Sequence, residues 1–243
     1  MHRTFFNLIF LKNFDIIFIE NRKGKINMVI ISKQNESLVS EILDNLVKKG
    51  MCEAIKHEDL FNWYMKIEEE ILDEVQIIFD GATKFVFLFE DVPSCVIKVS
   101  RHEMNNDHCR AEAENFRKAQ NVGLECYFAP TILFKEIDGV EFYIQEKVEC
   151  DTIGIDSEMY TYAEKICCSD KSTMDEDDFT ELLGEMVCDF DAADSLRAVF
   201  GEGYETELLI EFCENNRIND LHTANYGYKN DFPVILDYSG YMG

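Results

Sequence analysis

Basic residues are scarce in this 243-residue chain. Lysine and arginine number 23 against 48 aspartates and glutamates, a net charge of −25. A surface this acidic repels phosphate backbones, which argues against nucleic-acid partners. Proline is almost missing, with three in all, and neither a low-complexity linker nor an internal repeat divides the sequence. Long apolar runs are missing too. The N-terminal stretch "TFFNLIFLKNFDIIFIE" is interrupted by Lys12 and Asp15, which leaves it short of the roughly 20 residues a membrane span needs. It also lacks the small-residue cleavage site of a secretory signal. No membrane partner is expected. Nine cysteines contain no C-x-x-C, and the five histidines complete no zinc pattern. Cysteines in "SCVIKV" and "IEFCEN" sit among apolar residues, as reduced core thiols do. Free thiols and a cytoplasmic location are the expectation.

Apolar material is plentiful, at 47% hydrophobic residues with 19 phenylalanines, so a packed core is expected. Residues 1–27 differ from the rest: they carry five Lys/Arg and two Asp/Glu, leaving −28 on the remainder. "RKGKINM" back-translates to a purine-rich stretch resembling a bacterial ribosome-binding site before a start codon. Residues 1–27 are therefore read as a possible non-native extension, with Met28 as the start.

From there "NESLVSEILDNLVKKG" (35–50) predicts a helix with Leu38, Ile42, Leu43 and Leu46 inward, capped by Asn35 or Ser37 and stopped by Gly50. A second helix is expected over 57–75, with Leu60, Trp63, Tyr64, Ile67, Ile71 and Leu72 on its apolar face. The period then changes. "VQIIFDGATKFVFLFEDVPSCVIKVS" holds β-branched and aromatic runs broken at Asp80-Gly81 and at 91–94, which predicts three antiparallel strands. A helix over 105–123 ends at Gly123, and a hairpin follows that turns at Asp138-Gly139. Helices are expected at 157–168, 174–199 and 204–216. Thr173 and Glu176 form a capping box for the second of these. An EF-hand over 170–181 is rejected, because the sixth loop position lacks glycine.

The order of strand, glycine turn, lysine-bearing strand, glutamate-bearing helix, hairpin, helices, Asp-x-x-x-x-Asn and strand-Asp resembles the protein-kinase-like superfamily over about residues 75–240. "VIKV" places Lys98 where the family holds the α/β-phosphates. In "CRAEAENF", Glu112 matches the glutamate that aims this lysine, with Glu114 as competitor. "YIQEKV" is similar to the hinge, where backbone groups from Glu146 to Val148 would pair with adenine. In "NDLHTANYG", Asp220 matches the catalytic aspartate and Asn225 the metal-binding asparagine. His222 gives the loop the look of the aminoglycoside-kinase and sugar-kinase branches. "VILDYSG" makes Asp237 the second metal ligand.

The resemblance implies an α+β fold in two lobes: a helical preface (28–74), a small antiparallel-sheet lobe (75–149) and a reduced helical lobe (150–243). It implies an ATP- and Mg²⁺-dependent phosphotransferase acting on a protein or small-molecule hydroxyl, with AMP transfer as a minor variant. ATP would need local cations to overcome the acidic field.

A degraded phosphate loop keeps a non-catalytic pseudokinase, acting as a binding module, open as the alternative, and two further departures from the family stand beside it. The phosphate loop "IFDGATKFVF" keeps only Gly81 as its expected cofactor contact, and Lys84 there either supplies charge or faces solvent. Ile218-Asn219 replaces the His-Arg that precedes the catalytic aspartate. The chain also ends six residues beyond Asp237, with no counterpart of the later family helices.

If residues 1–27 are an extension, a chain beginning at Met28 should melt at the same temperature as the full chain. A drop of several degrees in differential scanning calorimetry would show that they pack on the body.

Overall fold

The computed structural model describes residues 31–71, 74–79, 81–101, 107–167 and 175–240, with the backbone of β1 (Ile19–Glu20) and β2 (Ile26–Asn27). The start at Met28, the inward Leu72, the Asp80 half of the first turn and the Thr173 cap lie outside the described residues.

Helix α1 (Lys33–Lys48) opens at Ser32, whose side chain accepts from the Asn35 N–H, so the cap lies earlier than expected. Val39, Ile42, Leu43 and Leu46 are its buried face, while Leu38 is only partly covered. Gly50 adopts a left-handed φ of 95° and turns the chain into a short α2 (Met51–Lys56). The second expected helix starts later and is shorter, as α3 (Leu60–Ile71). The Trp63 indole N–H donates to the Lys49 carbonyl and pins α3 to the end of α1.

Strands β3 (Val75–Ile78), β4 (Lys84–Phe89), β5 (Cys95–Ser100), β6 (Thr131–Ile137) and β7 (Val140–Glu146) form one antiparallel sheet in the order β3-β4-β5-β7-β6. The hairpin between β6 and β7 turns with Asp138 and Gly139 both at positive φ, 51° and 76°, the geometry that suits the right-handed strand twist. Side chains alternate across a strand. Phe85, Phe87, Phe89, Cys95, Ile97, Val99, Phe142 and Ile144 therefore face one way and share a core with α1, α2 and α3. Lys84, Lys98 and Gln145 face the other way, toward α4 (His108–Val122).

The second half is helical: α5 (Thr152–Ile166), α6 (Glu176–Cys188), α7 (Ala192–Phe200) and α8 (Tyr204–Asn215). The single helix expected over 174–199 is two. Asp189 ends α6, and the Asp191 carboxylate caps α7 by accepting from the Asp194 N–H. Helix α5 begins at Thr152 rather than 157 because Asp151 caps it. Between Asn225 and Asp237 the chain forms a hairpin, β8 (Tyr226–Lys229) and β9 (Phe232–Ile235), where a single strand was expected; Asn230 and Asp231 turn it at positive φ. A second core gathers Phe116, Phe128, Leu196, Leu209, Tyr226 and Tyr238. The architecture is α+β and two-lobed, with a helical preface sharing the core of the sheet.

The eight described cysteines are free thiols. Burial pushes the Cys95, Cys109 and Cys213 thiols up to about 12, so these three are inert core residues. Among the described residues, no helix is long and apolar enough to cross a membrane.

The preface and the sheet should unfold together. Leu43, with no exposure, lies in their shared core. Leu43→Ala should cost about 2–5 kcal/mol in denaturant melts. Glu41→Ala, on the exposed side of the same helix, should change stability by less than about 0.5 kcal/mol.

Candidate active site

The site begins with the register of β5 against α4. Ser100 lies two residues beyond Lys98, on the same sheet face. Its hydroxyl donates to the Asp107 carboxylate at 2.9 Å and accepts from the Cys109 N–H at 3.0 Å. Asp107 caps α4 by accepting from the Arg110 N–H at 3.0 Å. The first turn of α4 is thereby tied to the end of the lysine strand. One turn further along, Glu112 comes to rest over Lys98.

Glu112 has no solvent exposure. Lys98 Nζ lies 3.2 Å from its Oε2 and 3.4 Å from Oε1. Glu114 is exposed on a different side of α4. A second lysine shares the carboxylate: Lys84 Nζ is 2.6 Å from Glu112 Oε1 and 2.6 Å from Asp237 Oδ2. The alternative left open in the sequence, that Lys84 faces solvent, is corrected here. The side chain is 5% exposed. Phe85, Phe87 and Phe89 point into the core, so Lys84 falls on the opposite face, diagonal to Lys98 in the Val86–Lys98 register. That alternation was legible in the sequence.

Asp237 is fixed from several directions. The preceding Leu236 carbonyl accepts from Lys98 at 3.1 Å and from Gln145 at 2.9 Å, while the Leu236 N–H donates to the Asn225 carbonyl at 2.8 Å. Tyr238 is fully buried, and its hydroxyl donates to the Ala129 carbonyl at 2.5 Å. Ser239 donates to Asp237 Oδ1 at 3.1 Å and lies 3.0 Å from His108 Nδ1. Gly240, at φ 77°, passes so near Arg217 that a Cβ would stand 2.4 Å from its carbonyl oxygen. Sequence reasoning did not single out Gln145, Ser239 or His108.

Four charges thus meet in a neutral group, Lys84 and Lys98 against Glu112 and Asp237. Burial pushes the Glu112 carboxyl up, and the two ammonium groups oppose it. Burial acts the same way on Asp237, but Lys84 and Lys98 outweigh it and hold this carboxyl well below the usual range. Burial alone would depress Lys84; Glu112 and Asp237 overcome that and keep it protonated.

The remaining predicted residues are held by contacts of their own, and Asn225 joins the group through the Leu236 N–H. Asn225 is buried, and its amide N–H₂ donates to the Asp220 carbonyl at 2.7 Å, which shapes the loop. The Asp220 carboxylate is exposed, 3.8 Å from His222 Nε2. The Glu146 N–H donates to Pro130, and its carboxylate pairs with Lys229 at 2.5 Å. Val148 is half-buried against Gly227, and Glu149 pairs with Tyr228 through two backbone bonds of 3.1 and 2.7 Å. Gly81 is exposed, and a Cβ there would stand 2.9 Å from the Lys84 carbonyl, so this glycine tightens the turn that delivers Lys84.

Magnesium takes oxygen donors in octahedral array. Asp237 and Asn225 carry the right atoms. Yet Asp237 Oδ2 already holds an ammonium and Oδ1 a hydroxyl. Among the described residues, no three His, Cys, Asp or Glu side chains gather to hold a metal. As seated, these residues do not fit a divalent cation, because Lys84 already neutralises Asp237.

The order of elements and the lysine–glutamate contact follow the resemblance read from the sequence, while the hairpin leading to Asp237 departs from the single strand expected there. No family model matches the chain, and neither does any curated protein. Solved structures that resemble it include the streptomycin–ATP–APH(2")-IIa ternary complex, at 15% identity over 72% of this chain and 69% of that one, with a TM-score of 0.33. The GDP and kanamycin complex of APH(2")-IIia is 14% identical over 73% of this chain and 72% of the other, with a TM-score of 0.31. The GDP complex of wild-type aminoglycoside 2'-phosphotransferase-IIIa is 14% identical over 74% and 72%, with a TM-score of 0.32. Likenesses this distant decide nothing about chemistry.

Removing the buried carboxylate should leave two ammonium groups with Asp237 as the remaining carboxylate of the group. Glu112→Gln should cost about 3–5 kcal/mol of stability. Glu114→Gln should be silent within about 0.5 kcal/mol. Equal melting temperatures for the two variants would contradict the arrangement.

Proposed function

We propose that this chain is an ATP-dependent phosphotransferase transferring the γ-phosphoryl group to the hydroxyl of a protein or small molecule. The observation that carries this reading is the Lys98–Glu112 pair, joined through the Leu236 carbonyl to Asp237 and through the Leu236 N–H to the Asn225 loop. Phosphoryl transfer asks little covalent work of a protein; it asks for positioned cations and an oriented acceptor.

In this reading Lys98, aimed by Glu112, meets the α/β-phosphates. Backbone groups from Glu146 to Val148 receive adenine, and the turn at Gly81 lies along the triphosphate. The exposed Asp220 accepts the proton of the acceptor hydroxyl as its oxygen bonds to the γ-phosphorus. The bond from that phosphorus to the β–γ bridging oxygen breaks, and ADP leaves with the electron pair. Asn225 and Asp237 are the oxygen donors that would face magnesium once Lys84 has left Asp237, and none of the steps above is routed through the metal. The division into preface (28–74), sheet lobe (75–149) and helical lobe (150–243) belongs to the same proposal.

A non-catalytic binding module is the second reading, and one observation favours it. Each carboxylate of the charged group already faces a lysine of the chain itself, so the group balances its own charge.

Turnover separates the two. Asp220→Asn should leave ATP affinity unchanged in a calorimetric titration while label transfer from γ-labelled ATP falls about 10²–10⁴-fold. Transfer undiminished by this change would remove Asp220 from the chemistry. A wild type that binds ATP without consuming it, in the presence of lysate acceptors, would favour the binding module.

A further inference from the structure

Lys84 is the one charge of the buried group for which phosphotransferase chemistry has assigned no task. It opens β4 directly after the Gly81 turn, where the resemblance implies backbone amides over phosphate. Its ammonium bridges Glu112 and Asp237 at 2.6 Å each, whereas Lys98 reaches Glu112 and the Leu236 carbonyl. The Asp237 side chain retains 35% exposure, so solution reaches it from one flank while Lys84 covers it from within.

An ammonium on a carboxylate oxygen and a divalent cation on the same oxygen exclude each other, since like charges at contact repel strongly. The ammonium leaves when offered a better anion. A triphosphate is such an anion, because its oxygens form charge-assisted hydrogen bonds to lysine and bring more negative charge than a lone carboxylate. The site lies on a chain of net charge −25 that draws stray cations to itself. A fixed internal cation would keep such metal off Asp237 until nucleotide arrives.

We propose that Lys84 is a built-in counter-cation that closes Asp237 to divalent metal in the nucleotide-free chain and passes to phosphate oxygens when a nucleoside triphosphate enters. This rests on reading Asp237 as a metal ligand of a phosphotransferase. Metal and nucleotide then bind with positive coupling, because the triphosphate removes the competitor for Asp237.

The test uses Mn²⁺ alone, titrated into nucleotide-free protein and followed by the paramagnetic resonance of free Mn²⁺. The Lys84→Met variant should bind Mn²⁺ at least about tenfold more tightly than wild type, and Lys84→Arg should behave as wild type. Lys98→Met removes a nearby charge that does not sit on Asp237 and should change affinity less. Adding Asp237→Asn to Lys84→Met should erase the gain. No gain in Lys84→Met, or an equal gain in Lys98→Met, overturns the proposal. A gain that survives Asp237→Asn shows that Asp237 is not the metal ligand, and the proposal falls with that assignment.

A crystal structure of the wild type with a non-hydrolysable ATP analogue and Mg²⁺ reads the same event without relying on a variant that folds. Lys84 Nζ within hydrogen-bond reach of a phosphate oxygen and off Asp237 supports the proposal. Lys84 still on Asp237 beside bound metal overturns it. A failure of the broader reading looks different: the analogue would be found away from Lys98, or nowhere.

Discussion

A carboxylate with no access to water has to be matched by charge at contact distance, and Glu112 is matched twice. Much of the molecule is arranged to make that match possible. The Ser100–Asp107 clamp sets the start of α4, so the glutamate arrives over β5 and not beside it. Aromatic residues along β4 commit alternate positions to the core, which turns Lys84 to the same side as Lys98. Preface helices α1 to α3 cover the other face of the sheet and hold its strands in register. Loss of any of these would leave a buried charge unpaired.

The same group sets the terms on which so acidic a chain could meet a polyphosphate. Two lysines stand within one buried group, yet both are committed to carboxylates, so the site offers little free positive charge at rest. Any polyphosphate has to compete for Lys84 and Lys98 with Glu112 and Asp237. Asp237 itself is held through its neighbours. Leu236 is bonded to both lobes, Tyr238 is locked in the second core, and Gly240 threads past Arg217 where no side chain fits. Asp237 is therefore fixed by the backbone on either side of it as well as by Lys84.

Much of this was legible in the sequence. Periodicity located α1, α3, α4 and the sheet, and the Asp138-Gly139 turn was placed by residue type alone. The resemblance to the protein-kinase-like superfamily singled out Lys98, Glu112, Asn225 and Asp237, and the structure brings Lys98, Glu112 and Asp237 together. Caps were harder to see, because Asp189 and Asp191 end one helix and start another inside a run whose apolar period never breaks. Asn230 and Asp231 fold β8 onto β9 through two positive φ angles, a turn that reads as a polar interruption unless the left-handed tolerance of Asn and Asp is weighed. Lys84 was left open between supplying charge and facing solvent. Taken singly, a lysine at the mouth of a strand reads as solvated; only the Phe85, Phe87 and Phe89 alternation, set against Ile97 and Val99, turns it inward.

The central claim is that the Lys98–Glu112 pair marks a nucleotide site. The most direct measurement is a calorimetric titration of wild type and Lys98→Ala with MgATP under identical conditions. The account predicts saturable one-site binding to the wild type and a loss of at least about tenfold in affinity for the variant, the scale of a charge-assisted phosphate contact. Equal affinities for the two proteins, or no saturable binding by a folded wild type at millimolar ATP, would contradict it.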